Sequence, residues 1–238
     1  MKFIGMIFVA AMAAISISGQ PTNRTVAITI DDLPVVSTRS DLKNRQQITK
    51  KLIGHITKAK VPAIAFVNEN KLYAGDKRDE KQIDLLRMWL VAGLELGNHT
   101  FSHRSLNQIP IADYEADLMK GETITKELLG EKGREIRFFR HPFLQTGRTL
   151  ETKAQFDAFL SEHGYRIAPI TFDNADYIFS RAYDVAFDKN DKKLMKQVGN
   201  AYVPYMEKKL EYWERQSMKL FGREMSQTLL IHANFINS

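Results

Sequence analysis

The sequence predicts an α/β fold, a (β/α) barrel with its functional groups at one rim. Two observations carry that prediction. Short apolar or β-branched runs alternate along the chain with stretches of helical periodicity, the pattern of a parallel sheet with helices outside it. Polar residues also recur just after those runs, at the C-terminal ends of the strands, where a barrel of βα units gathers its site.

The elements follow in order. Thr25 to Ile30 is a β-branched run that reads as a buried strand and stops at Asp31-Asp32. Arg45 to Ala59 carries Ile48, Leu52, Ile53 and Ile56 at helical spacing, and Pro62 ends it. Ala63 to Val67 is a second strand. Lys81 to Ala92 is a helix striped by Ile83, Leu86, Leu90 and Val91 and stopped by Gly93. Leu94 to Gly97 is a third strand, ending at Asn98-His99. Ile111 to Leu129 is read as one helix closed by Gly130. Arg137 to Phe139 is a fourth strand, Thr149 to His163 a helix, Arg166 to Phe172 a fifth strand and Thr228 to Ile231 a last one. Residues 177–227 fit the alternation least and read as an insertion before the last strand, with a charged stretch at 184–196 and a helix from Val203 to Phe221.

Composition bounds the function. The 238 residues suffice for one large domain, and 44% hydrophobic with 26% charged is ordinary globular usage. There is no cysteine, so thiolate catalysis and Cys-based zinc sites are excluded, and any metal must be held by His, Asp or Glu. The net charge of +6 is scattered rather than striped, which argues against nucleic acid as a partner. Met1-Lys2, the apolar run Phe3 to Ile17 and the small residues Ser16 and Ser18 have the layout of a secretory signal over residues 1–18. The expectation is export to the periplasm or beyond the cell, with no stable membrane insertion after cleavage, because the run is short of the ~20 residues a span needs.

Four polar clusters follow predicted strands. His99 and His103 are spaced i, i+4; on a helical turn both rings would share one face and reach one ion. The same pair also suits a surface or core position. Asp31-Asp32 invites a neutralising cation, or serves as a turn or cap. Arg140 precedes His141-Pro142 and can fork onto a carboxylate or form a surface pair. His232 tips an apolar strand. His55 and His163 read as exposed, Trp89 as core, and Trp213 as a candidate sugar platform in the insertion.

Together these motifs resemble the polysaccharide deacetylases, the NodB-homology domain of carbohydrate esterase family four. Thr29-Ile30-Asp31-Asp32 resembles the family's first motif, and His99-Thr100-Phe101-Ser102-His103 matches the second in full. Arg140-His141-Pro142-Phe143 looks like the third, Asp173-Asn174-Ala175-Asp176-Tyr177 like the fourth, and Leu230-Ile231-His232 like the fifth. The resemblance runs from about Thr25 to His232, in family order, and residues 21–238 are read as the catalytic domain.

The resemblance implies an irregular seven-stranded TIM-like barrel that hydrolyses N- or O-acetyl groups of an acetylated polysaccharide. It implies one divalent ion, zinc first and cobalt, nickel or manganese as alternatives, held by Asp32, His99 and His103. Asp31 would be the general base and Arg140 its partner. His232 would be the general acid, oriented by Asp173 or Asp176. Tyr177, with Pro142 and Phe143, would bind substrate. The sequence departs from the pattern at Leu33-Pro34, where glycine is usual, and at Tyr177, where tryptophan is usual. The chain stops six residues past His232, so a closing helix is expected to be missing. Another single-metal amidase or esterase and a non-catalytic carbohydrate-binding barrel are the competing readings. A phosphoesterase would want more carboxylates at strand ends.

Overall fold

The computed structural model describes residues 24–39 and 41–238, so the apolar start read as an export signal lies outside the described residues. The elements run β1 (Val26–Leu33), α1 (Leu42–Lys58), β2 (Ala63–Val67), a small hairpin of β3 (Tyr73–Ala74) and β4 (Lys77–Arg78), α2 (Glu80–Val91) and β5 (Glu95–Asn98). They continue with α3 (Ile111–Lys120), α4 (Thr123–Gly130), β6 (Phe138–Phe139), α5 (Leu150–Glu162), β7 (Arg166–Ile167), α6 (Asp176–Asp188), α7 (Lys192–Phe221) and β8 (Gln227–His232).

Six strands form one curled, parallel half-barrel in the order β7-β6-β5-β2-β1-β8. Seven were expected; among the described residues the six positions read from the sequence are the six that form. The fifth predicted strand is also shorter than expected. Arg166 and Ile167 pair with β6, whereas Phe172 bridges Leu229 of β8. Pro169 stands between the two contacts and has no N–H for a ladder, so one run meets two partners without being one strand.

The main core lies between the sheet and the helices α1, α2 and α4, where Ile48, Leu52, Ile83, Leu86, Trp89, Ile124 and Leu128 are buried against Ile30, Ala65 and Leu96. Trp89 is therefore core, as its mid-helix position suggested. A second cluster joins α3 and α5 through Tyr114, Leu118, Phe139, Phe156 and Leu160. The single helix expected over 111–129 is two. A Cβ at Gly121 would stand 2.4 Å from the Phe101 nitrogen, so only glycine lets the chain turn there beneath the His99–His103 segment.

The insertion is a helical hairpin. Its long helix begins at Lys192, eleven residues before the expected start, and runs through Pro204. A proline inside a helix costs ~3 kcal/mol; packing of Phe179 against Tyr202 and Tyr205 across the hairpin offsets it. After β8 the last residues fold back: Val36 donates to the Ala233 carbonyl, and Ala233, Asn234 and Phe235 are buried.

Candidate active site

The site begins at the end of β1. Its register sets Asp31 opposite His232 of β8. Against β2 the register shifts between Ile30 and Leu33, and Asp32 there takes a φ of 69°. That conformation, which aspartate tolerates better than most residues, breaks the alternation that would have sent the two carboxylates to opposite sides. Both approach the Nε2 of His99 instead, Asp31 at 3.9 Å and Asp32 at 3.7 Å.

The two histidines are not on a helical turn. They lie in a loop after β5, with φ of 63° at Thr100 and 55° at His103. The loop is held by its neighbours: the His99 N–H donates to Val67, Phe101 to the Asp117 carbonyl, and Thr100 to the Asn98 side chain. Asn98 in turn is held by Tyr165, whose hydroxyl donates to Glu122. The result still pairs the rings, with centroids 4.9 Å apart. His99 is buried and its Nδ1 donates to the Arg140 carbonyl at 2.7 Å, which leaves the Nε2 lone pair facing Asp32. Burial lowers the pKa of both rings, to about 3 for His99, so both are neutral and fit to ligate.

Arg140 projects from the end of β6 and is 1% exposed. Its Nη1 lies 3.2 and 3.3 Å from the Asp31 oxygens, Nη2 donates to Thr29 and Nε to the Ala168 carbonyl, with the guanidinium over the Phe66 ring. Burial pushes the Asp31 carboxyl up to about 6, with Arg140 pulling the other way. Burial also raises Asp32, but there Lys71 and the two histidines win and bring it to about 2.

On the opposite side, His232 Nδ1 and the His232 backbone N–H both reach Asp176, each at 2.8 Å. Asn237 donates a third bond to the same carboxylate. Burial would lower the imidazole, yet Asp176 outweighs it and holds His232 at about 9. Asp176 is thus the partner of His232. Asp173 is exposed, and its carboxylate caps the Asn174 N–H while its carbonyl accepts from Trp213. The Trp213 indole therefore ties the helical hairpin to this loop.

Asp31, Asp32, His99, His103, Asp173 and His232 line one cavity of about 520 Å³ with His141, Phe143, Leu144, Asn174, Tyr177 and Leu230, while Arg140 and Asp176 stand behind Asp31 and His232. Tyr177 is exposed at its rim. Pro142 is buried and begins a one-turn 3₁₀ segment, whose φ of 56° at Phe143 turns that ring outward against His103. Sequence reasoning missed Lys71, which lies in the turn after β2, and Asn237, which lies past the last motif. The first stood at a strand's C-terminal end and was open to the rule applied elsewhere. His141, read as a variable position, is buried beside the cavity and held neutral by burial, at about 4.

Asp32, His99 and His103 offer ligand atoms that all lie within 4.8 Å of one another. Asp32 Oδ1 is buried without a hydrogen-bond partner, as a carboxylate oxygen awaiting a cation would be. One carboxylate and two neutral imidazoles suit zinc and its neighbours.

Fold and cavity together define an α/β protein in which a group fit for a metal ion sits between a carboxylate–guanidinium pair and a carboxylate–imidazole pair. Residues 18–168 match the family model for polysaccharide deacetylase, more than half of the chain, and the chain belongs to that family. It is 27% identical over 164 residues to a peptidoglycan-N-acetylglucosamine deacetylase of Bacillus cereus, covering 69% of this chain and 50% of that protein. The chain thus spans about half the length of this curated relative. Among solved structures it resembles the chitin deacetylase of Colletotrichum lindemuthianum, at 22% identity and a TM-score of 0.54, covering 89% of this chain and 75% of the other. It also resembles a family 4 pseudoenzyme from Bacillus anthracis, at 12% identity and a TM-score of 0.53, covering 91% and 57%. At these identities the structures speak for the fold.

Proposed function

We propose that this protein is a metal-dependent deacetylase that hydrolyses N-acetyl groups of a glucosamine-containing polysaccharide and releases acetate. The observation that carries the proposal is one cavity lined by Asp32, His99 and His103, by Asp31 with Arg140 paired behind it, and by His232 with Asp176 paired behind it. Asp32, His99 and His103 would hold the ion. When bound, it supplies Lewis acidity to the acetyl carbonyl and to the attacking water.

The chain's own groups do the proton work. Asp31 takes a proton from the water that attacks the carbonyl carbon. Its pKa of about 6 leaves it mostly ionised at neutral pH yet more basic than an ordinary aspartate. Arg140 fixes its position and balances its charge in a buried place. His232, protonated at neutral pH, gives its proton to the leaving nitrogen as the C–N bond breaks. Asp176 orients that ring. Tyr177 and Phe143 border the mouth where the sugar would rest. The amide is favoured over the ester because an amine leaves poorly unless protonated, and this site holds its acid charged. The Bacillus cereus relative, named for a peptidoglycan substrate, supports the same choice.

A non-catalytic binding barrel has one argument in its favour, the pseudoenzyme among the similar structures. Against it, such a barrel needs neither a buried Asp31–Arg140 pair nor a charged His232. Export is proposed as well, on the basic start and apolar run. Among the described residues no helix is long and apolar enough to cross a membrane. The test is acetate release from chitin oligomers, peptidoglycan and acetylated xylan, with chelator and with zinc, cobalt, nickel or manganese restored. Release from the N-acetylated polymers that chelator abolishes is the expected result. Release unaffected by chelator, or none with any metal, overturns the proposal.

A further inference from the structure

We propose that Lys71 is a resident counter-ion of the candidate metal site, one that steadies Asp32 before an ion arrives and then competes with that ion. The inference rests on the metal-binding reading of Asp32, His99 and His103. It starts from a contact that no motif includes. The Lys71 Nζ donates to the Asp32 backbone carbonyl at 2.8 Å and lies 3.8 Å from Asp32 Oδ1, the oxygen without a hydrogen-bond partner.

The lysine is presented on a fixed base. It stands in the 3₁₀ turn Glu69–Leu72 after β2. Glu69, wholly buried, accepts from the Ile124 and Thr125 N–H groups at the start of α4. Asn68 donates to the His99 carbonyl, and the Asn70 N–H donates to Phe101. The turn is thus tied to the same loop that carries both histidines. The Lys71 side chain is 27% exposed, and that of Asp32, at 16%, is more covered still.

The physics has two consequences of opposite sign. Without an ion, the adjacent carboxylates of Asp31 and Asp32 are poorly solvated like charges, and Arg140 serves only Asp31. Lys71 supplies the charge for Asp32 and holds its backbone at the positive φ that aims the carboxylate inward. With an ion present, the same ammonium repels a second cation placed on the same carboxylate, across surroundings that screen poorly. Lys71 is therefore a positioning residue that trades metal affinity for a preassembled site.

Lys71→Gln removes the charge and keeps a donor for the Asp32 carbonyl. Lys71→Met removes both, and Lys71→Arg keeps the charge. Thermal melts of the chelator-treated proteins, together with zinc titrations against a competing dye, read both consequences. Lys71→Gln and Lys71→Met should melt lower without metal, yet bind zinc at least tenfold more tightly, while Lys71→Arg stays near the parent. A merely structural lysine would lower stability and affinity together. Zinc affinity that is unchanged or falls in both neutral variants overturns the proposal. A parent protein that binds no zinc overturns the underlying metal reading, and the proposed competition with it.

Discussion

On the wall built from the ends of β1, β5 and β6, the Asp31–Arg140 pair and His99 are pinned by groups from other parts of the chain, and the Asp32 carboxylate is left with an unpartnered oxygen. Asp31 and Arg140 are 2% and 1% exposed, Arg140 is held by Thr29 and Ala168, and His99 is held by the Arg140 carbonyl. On the facing wall, His232 hangs on Asp176, which is itself held by the tail through Asn237. The first wall offers one ionised carboxylate and two neutral imidazoles where it would ligate, and a carboxylate raised by burial where it would take a proton. The second stores a proton. One cavity can so keep a base with a pKa of about 6 and an acid of about 9 ready at one pH, because burial dominates the first and a paired carboxylate the second.

The comparison breaks hardest at Arg140. Arg140→Ala leaves Asp31 buried without its partner, a change that costs ~3–5 kcal/mol in comparable buried pairs. Denaturant melts should show a loss of that order, and acetate release should fall to background. A stable, active Arg140→Ala would mean that Asp31 is held by something else.

The second wall is tested through pH. His232 is protonated below about 9 and loses its acid form as pH rises through that value. Asp176→Asn removes the carboxylate that raises it, so the basic limb of kcat should move down toward the ordinary imidazole range of ~6.5. The acidic limb, set by Asp31 near 6, should move much less, since the Asp176 and His232 charges act on Asp31 in opposite directions. The rate itself should drop by up to ~10²–10⁴-fold. A basic limb that does not move would detach His232 from proton delivery.

Gly121→Ala gives a smaller effect of a different kind. The new methyl would meet the backbone of Thr100 and Phe101, so the histidine loop must shift. A loss of ~1–3 kcal/mol is expected, with weaker zinc binding measured on the folded fraction. Asp173→Asn should be smallest of all, within about threefold of the parent in kcat/KM, since its carboxylate only caps Asn174. A hundredfold loss there would return Asp173 to the role given to Asp176.

What could be read in the sequence was the part written in local periodicity. The β-branched runs, the helical stripes and the polar residues just beyond each strand located the six strands of the sheet. They also picked out Asp31, Asp32, His99, His103 and His232, which line one cavity, and Arg140 behind Asp31. The resemblance left Asp173 and Asp176 as alternatives, which the fold decides for Asp176. What escaped was set by tertiary contact. The histidine loop looked like a helical turn because i, i+4 spacing is also what a loop with two positive φ values can deliver. The break at Gly121 depends on how closely Phe101 approaches, and the helix through Pro204 depends on aromatic packing from α6. Lys71 and Asn237 reach Asp32 and Asp176 across 39 and 61 residues of sequence, so only the folded chain brings these pairs together.

The proposed division of labour falls on the two neighbouring aspartates, one near pKa 6 and one near 2 on the same strand end. Metal content and acetate release measured side by side on Asp31→Asn and Asp32→Asn test it directly. Asp31→Asn should keep one zinc per chain and lose activity by ~10²–10⁴-fold, while Asp32→Asn should lose the zinc itself. If Asp31→Asn sheds the metal and Asp32→Asn retains it, or if Asp31→Asn is fully active, the division of labour between them is contradicted.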